Sequence, residues 1–138
     1  MFFKSIESLN KVKLFTLAII VVFISGCYTL STISKAKGTG VVKSYHVTVD
    51  KAWSEMPSVI NAVGLTYVKG DIKERYILAE REGTAFSYGE LVGIFFTSIG
   101  QQTQIEIVAK PVALLNWGSI FWTWPDAIFK ELDNRWNR

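Results

Sequence analysis

The start of the chain carries the feature that most constrains the rest. Positive charges stand in residues 1–13, an apolar run of 11 residues follows at 14–24, and the small pair Ser25-Gly26 precedes the single cysteine, Cys27. A charged segment, a short apolar stretch and a small-residue cleavage region form the layout of a secretory signal. The run is too short for a membrane-spanning helix, which needs about 20 apolar residues. We therefore expect the signal to be removed and the fold to be built from what remains.

The four residues Ile24, Ser25, Gly26 and Cys27 resemble the lipobox of bacterial lipoproteins, an aliphatic residue and two small residues before an obligatory cysteine. In that family the cysteine thiol receives a diacylglyceryl group, a peptidase cleaves before the cysteine, and the new amino group is often acylated. The resemblance implies that Cys27 becomes the lipidated first residue, since two or three acyl chains hold a small protein durably on a membrane. Tyr28 replaces the Asp that commonly marks inner-membrane retention, which favours the outer membrane with the domain facing the periplasm.

An uncleaved signal anchor is the alternative for the same region. Residues 14–34 contain no charged side chain over 21 positions, and that length suffices for a span. Cys27 would then be an ordinary thiol at the membrane boundary. The two hypotheses differ in the mass of the mature chain.

Composition excludes several classes of function. The formal charge of +3 falls to +1 without residues 1–26, because three lysines and Glu7 leave with them and 12 basic and 11 acidic side chains remain. This balance lacks the basic surface of a nucleic-acid-binding protein. One cysteine and one histidine provide neither an internal disulfide nor a common zinc site, so no cofactor is expected.

The mature chain divides into a tether and one domain. Residues 27–40 are rich in small and hydroxyl side chains without clear periodicity, which predicts a lipidated tether. Its Gly38-Thr39-Gly40 lacks the preceding strand and the following residues of a phosphate loop. Residues 41–138 are predicted to form the folded domain, because a chain that is 49% hydrophobic has enough apolar mass for a core.

The domain begins with a strand and a helix. Residues 41–49 alternate between apolar and polar positions, which predicts a half-buried strand. A helix is predicted over Lys51–Val63, with Asp50 as its N-cap and Gly64 as its stop. Pro57 lies inside this pattern, so we expect a kink or a late start.

Four strands and a helix follow. β-Branched and aromatic residues predict strands at Leu65–Ile72, Tyr76–Glu82, Tyr88–Thr97 and Thr103–Val112. The closing helix is predicted from a capping box of Thr123 and Asp126, an apolar stripe and a Glu131–Arg135 pair. The order β-α-β-β-β-β-α predicts an α+β domain, a single mainly antiparallel sheet with two helices packed on one face.

This order also resembles a family of small uncharacterised bacterial lipoproteins that have one such domain. The resemblance covers residues 41–136, through the first strand, the helix with Trp53, the Gly64-Leu65 step, the hairpins and the last helix. The family carries no established enzymatic residues, so the resemblance implies no catalytic site.

The residues themselves point to no enzyme, because no nucleophile, base and orienting group form a set. His46 is predicted to be a solvated strand residue, and Glu80 with Glu82 a solvated edge rather than an acid pair. The favoured function is a noncatalytic, lipid-anchored module of the cell envelope that binds another envelope component or supports an assembly. An apolar small-ligand carrier, or an enzyme using a pocket between sheet and helices, is the alternative.

An aromatic segment near the C-terminus is the candidate contact surface. Residues 112–124 are uncharged, and aromatic side chains concentrate in protein interfaces and in membrane interfacial belts. The residues predicted to contact the membrane or a partner are Trp117, Phe121, Trp122 and Trp124. Core packing beneath the last helix is the alternative for these rings.

Overall fold

One five-stranded sheet with three helices makes up the described part of the chain. A computed structural model describes residues 29–83, 89–112 and 123–137. The elements are α1 (Leu30–Ser34), β1 (Val41–Tyr45), α2 (Val49–Ala62), β2 (Thr66–Asp71), β3 (Tyr76–Arg81), β4 (Glu90–Ile99), β5 (Gln102–Pro111) and α3 (Trp124–Trp136). The predicted α+β class with a single antiparallel sheet is confirmed.

The strand order is β1-β5-β4-β3-β2, with every neighbouring pair antiparallel. Strands β2 to β5 are successive hairpins, whereas β1 joins the far side of β5, with Val41 opposite Ile107. Helix α2 therefore connects the two edge strands. Because β3 lies between β2 and β4, the predicted solvated edge is wrong for Glu80, which is half-buried, while Glu82 lies beyond the strand and is exposed.

Helix α2 starts two residues earlier than predicted. The chain leaves the sheet after Tyr45, which frees the Thr48 side chain to accept the Lys51 N–H at 3.3 Å. Thr48 is thus the N-cap, and the predicted Asp50 lies in the first turn, where its negative charge favours the helix terminus. The late start predicted from Pro57 does not occur, since the helix runs from Val49 through Pro57.

The end of α2 was predicted correctly. Gly64 has a φ of +86°, and its N–H donates to Asn61 O at 3.1 Å while the Leu65 N–H donates to Ile60 O at 3.0 Å. These two bonds form a Schellman motif. The start of helix α3 differs from its prediction. Thr123 is the N-cap residue, as predicted, but its side chain makes no capping hydrogen bond.

The main core lies between the sheet and helices α2 and α3, on what we call the helical face. Buried side chains recur along both helices at steps of three and four, as predicted, and Arg135 Nε lies 2.8 Å from Glu131 Oε1. This core has 17 buried residues: Tyr45, Ala52, Met56, Val59, Ile60, Leu65, Ile77, Ala79, Val92, Ile94, Phe96, Ile105, Ile107, Trp124, Ile128, Phe129 and Leu132.

The opposite side of the sheet, the α1 face, is covered by α1. Ile33 of this helix is fully buried and packs with Leu78, Leu91, Phe95 and Val108. The described part of the predicted tether, residues 29–40, thus contains a helix that packs on the sheet. The five-residue helix escaped prediction because it is too short to show a period.

Candidate functional site

The predicted site residues divide sharply between described and undescribed parts of the chain. The lipobox residues Ile24, Ser25, Gly26 and Cys27 lie outside the described residues, as do Trp117, Phe121 and Trp122. Of the candidate contact residues, the structure therefore places Trp124 alone.

Trp124 is a core residue and not part of a contact surface. It is 3% exposed, and its indole N–H donates to Glu90 Oε2 at 2.6 Å. The spacing explains its burial, because Trp124, Ile128 and Leu132 are four residues apart and share one face of α3. The contact prediction is corrected for this residue, and the alternative of core packing holds for it.

Glu90 anchors this end of the sheet. It is 3% exposed, and the Oε2 that accepts from Trp124 also accepts from Arg81 Nε at 2.9 Å. The neighbouring Gly89 accepts the Val112 N–H at 3.2 Å. The two end residues of the aromatic segment, Val112 and Trp124, are thus hydrogen-bonded to two consecutive residues, Gly89 and Glu90.

A second buried carboxylate, Glu106, holds the segment between α1 and β1. It is 8% exposed, and its Oε1 accepts the Gly38 N–H at 2.6 Å and the Gly40 N–H at 2.8 Å. A Cβ on Gly40 would lie 2.4 Å from Ile107 O, so only glycine allows this close approach. Sequence reasoning missed Glu106, although a lone acidic residue between Ile105 and Ile107 was the available signal.

A third polar cluster joins β1 to α3. Lys43 Nζ lies 2.7 and 2.6 Å from the two carboxylate oxygens of Asp133, and the Tyr45 hydroxyl donates to Asp133 Oδ1 at 3.0 Å. The hydrogen bond from Lys43 is the main cause of a lowered pKa for Asp133. Burial, reinforced by Asp133, raises the pKa of Tyr45. The cluster is a structural tie between elements, because each of its polar groups bonds to another member.

The remaining acid and base candidates form no catalytic set in the described ranges. His46 is exposed, and its ring nitrogens lie 3.1 and 3.3 Å from Gln102 Nε2. Glu90 Oε2 and Glu106 Oε1 accept hydrogen bonds that join segments of the fold. Across residues 29–83, 89–112 and 123–137, no three His, Cys, Asp or Glu side chains are grouped to hold a metal ion.

One depression lies between β5 and the start of α3. It measures about 370 Å³, is open to solvent, and includes Lys110 and Asp126 beside Val41, Ile107 and Pro125. Carrier pockets for apolar ligands are concave and mostly apolar, and they bury most of the ligand surface. This depression is open to solvent and has Lys110 and Asp126 in its lining, so it does not enclose a ligand as such a pocket does.

No helix in the part of the chain that the structure describes is long and apolar enough to cross a membrane.

Neither a protein-family model nor a curated protein matches the chain. The resemblances drawn from sequence therefore stay predictions, and function has to be inferred from the residues of this chain.

Proposed function

We propose that the protein is a bacterial envelope lipoprotein, held by lipid on Cys27, whose domain is a noncatalytic binding or structural module. The observation that carries the proposal is the lipobox-like sequence Ile24-Ser25-Gly26-Cys27 after a short apolar run. In this proposal residues 1–26 are removed. The anchor places the domain at the outer membrane, facing the periplasm, because Tyr28 stands where Asp would favour inner-membrane retention.

The packing of α1 supports lipidation over the uncleaved anchor. A span across residues 14–34 has to include Ile33, yet Ile33 is fully buried against the sheet. Residues 14–29, the positions before α1, number only sixteen. Since a spanning helix needs about 17 to 25 residues, the stretch that remains is short for an anchor.

The state of the buried carboxylates supports a noncatalytic domain. A general acid or base needs a polar atom that reaches substrate, whereas Glu90 Oε2 accepts from Trp124 and Arg81. Glu106 Oε1 accepts from backbone N–H groups. The polar interior thus serves to hold segments on the sheet. A domain built this way suits binding or assembly at the membrane.

The proposed contact with the membrane or an envelope protein rests on Trp117, Phe121 and Trp122. Its support is an uncharged aromatic sequence whose end residues, Val112 and Trp124, are both hydrogen-bonded at one end of the sheet. Vesicle binding that is unchanged by the pair Trp117→Ala and Trp122→Ala, in a folded domain, would remove this assignment.

Intact mass of the membrane-extracted protein tests the proposal. We expect wild type to lack residues 1–26 and to carry the added mass of two or three acyl chains. Cys27→Ser is the matched variant, because it removes only the thiol, and it is expected to gain no lipid. A wild-type mass equal to the full 138 residues without lipid contradicts the lipoprotein and supports the uncleaved anchor.

A further inference from the structure

We infer that the domain is held directly against the phospholipid surface, with α1 as the membrane-proximal element and no spacer between lipid and fold. The inference rests on the proposed lipidation of Cys27. It adds the orientation of the domain on the membrane and its distance from the bilayer. The surface that faces α1 is thereby the lipid bilayer itself.

Chain length sets the distance. Thr29, the N-cap of α1, comes two residues after Cys27. At about 3.5 Å for each extended residue, two residues reach about 7 Å at most. If the segment to Gly40 were free, its 13 residues would reach about 45 Å by the same rule. The docking of α1 on the sheet therefore determines whether the domain lies in contact with the membrane or at a distance from it.

Contacts at both ends of the segment keep it docked. Ile33 is fully buried, and the absence of a side chain on Gly93 makes room for it, since a Cβ there would lie 2.8 Å from Ile33 Cγ2. Further along, Gly38 and Gly40 donate to Glu106. A segment fixed in the middle and at its end cannot extend without breaking these contacts.

The charge of the segment fits a phospholipid surface. Lys35 and Lys37 are exposed, and residues 29–40 contain no acidic side chain. Basic residues beside a lipid anchor are attracted by anionic headgroups. The segment that lies nearest to the lipid thus has the charge that an anionic bilayer favours.

Fluorescence energy transfer from domain to bilayer tests the inference. The lipidated protein is reconstituted in phosphatidylethanolamine and phosphatidylglycerol vesicles with an acceptor dye on the headgroups. The donor is placed on Ser54→Cys, an exposed position of α2. This thiol is the one available for labelling in the lipidated protein, because the only native cysteine, Cys27, carries the lipid on its thiol. Intact mass is measured first, so that missing lipid counts against the proposed function and not against the orientation.

Ile33→Asp is the variant that undocks α1. We expect the mean distance from its donor to the headgroup acceptors to exceed that of the otherwise wild-type protein by roughly 20 Å, the root-mean-square span of a 13-residue flexible chain. Ser31→Asp, which adds the same charge at an exposed position of the same helix, is the control and is expected to keep the wild-type distance. Equal distances in the Ile33→Asp and wild-type proteins overturn the inference.

A second variant covers loss of folding. If circular dichroism shows that Ile33→Asp unfolds the domain, the pair Ile33→Ser and Glu106→Gln weakens the same docking contacts with less disturbance. The same increase in donor distance is expected from a folded pair. An unchanged distance overturns the inference here as well.

Discussion

The two faces of the sheet are covered in different ways. The helical face is covered by helices of 14 and 13 residues, and the core on this side has 17 buried residues, some of them from the helices. The α1 face has a five-residue helix and a buried cluster of five residues. Since buried apolar area sets most of the stabilisation, the helical face determines whether the domain folds, and the α1 face determines how the N-terminal segment is attached.

Two neighbouring phenylalanines test this contrast with the largest expected change in the free energy of unfolding. Phe95 and Phe96 are adjacent on β4, are at most 2% exposed, and point to the α1 face and the helical face respectively. Phe96→Ala is expected to lower the free energy of unfolding by about 3 to 5 kcal/mol. Phe95→Ala is expected to cost about 1 to 2 kcal/mol less, because the small α1 helix is free to settle into the space. Urea denaturation measures both, and equal losses would break the comparison.

Gly93→Ala gives an intermediate effect, directed at the α1 face. The added Cβ meets Ile33 Cγ2 at 2.8 Å and Phe95 Cε2 at 3.0 Å. Overpacking of this kind costs about 1 to 3 kcal/mol. Amide hydrogen exchange is expected to become faster in residues 30–40 while the amides of α2 stay protected. Faster exchange in α2 to the same extent would show that the two faces unfold as one unit.

The smallest expected effect concerns pH and the helical face. Lys43 lowers the pKa of Asp133, so the ionised carboxylate stabilises the fold above its unfolded pKa of about 3.9, and this stabilisation is lost as the pH falls through the lower folded value. Asp133 is 35% exposed, so Asp133→Asn is expected to cost less than about 1 kcal/mol at pH 7.

Unfolding curves of wild type and Asp133→Asn from pH 7 to pH 2 measure this difference. The gap between the two proteins is expected to shrink below about pH 4, while hydrogen exchange in α1 is unaffected. A gap that is constant with pH would assign the loss to packing instead of charge.

Sequence patterns predicted the helical face because both helices repeat apolar residues over three or more turns, and Gly64 marks the end of α2. The α1 face was missed, although β4 carries apolar residues on both sides: Leu91 and Phe95 on one, Val92 and Ile94 on the other. A strand that is apolar on both sides indicates that both faces of its sheet are covered. What covers the second face was not predictable, since a single buried residue, Ile33, has no period.

The candidate site was predicted less well for a related reason. Trp124 follows the spacing of α3 and could have been assigned to the core from sequence. Glu106 could not be paired with Gly38 and Gly40, because the partners are 68 and 66 residues apart and their meeting depends on the position of β1 beside β5. Long-range pairing of this kind leaves no local pattern.

The same pairing governs the order in which the chain is able to fold during synthesis. Strands β2 to β5 are hairpins that form from neighbouring residues. Strand β1 pairs with β5, and Gly40 donates to Glu106, which lies 66 residues later in the chain. Contacts between distant residues slow folding because the loop has to close before they form. Strand β1 and Gly40 are therefore able to complete these contacts only after most of the polypeptide has been made.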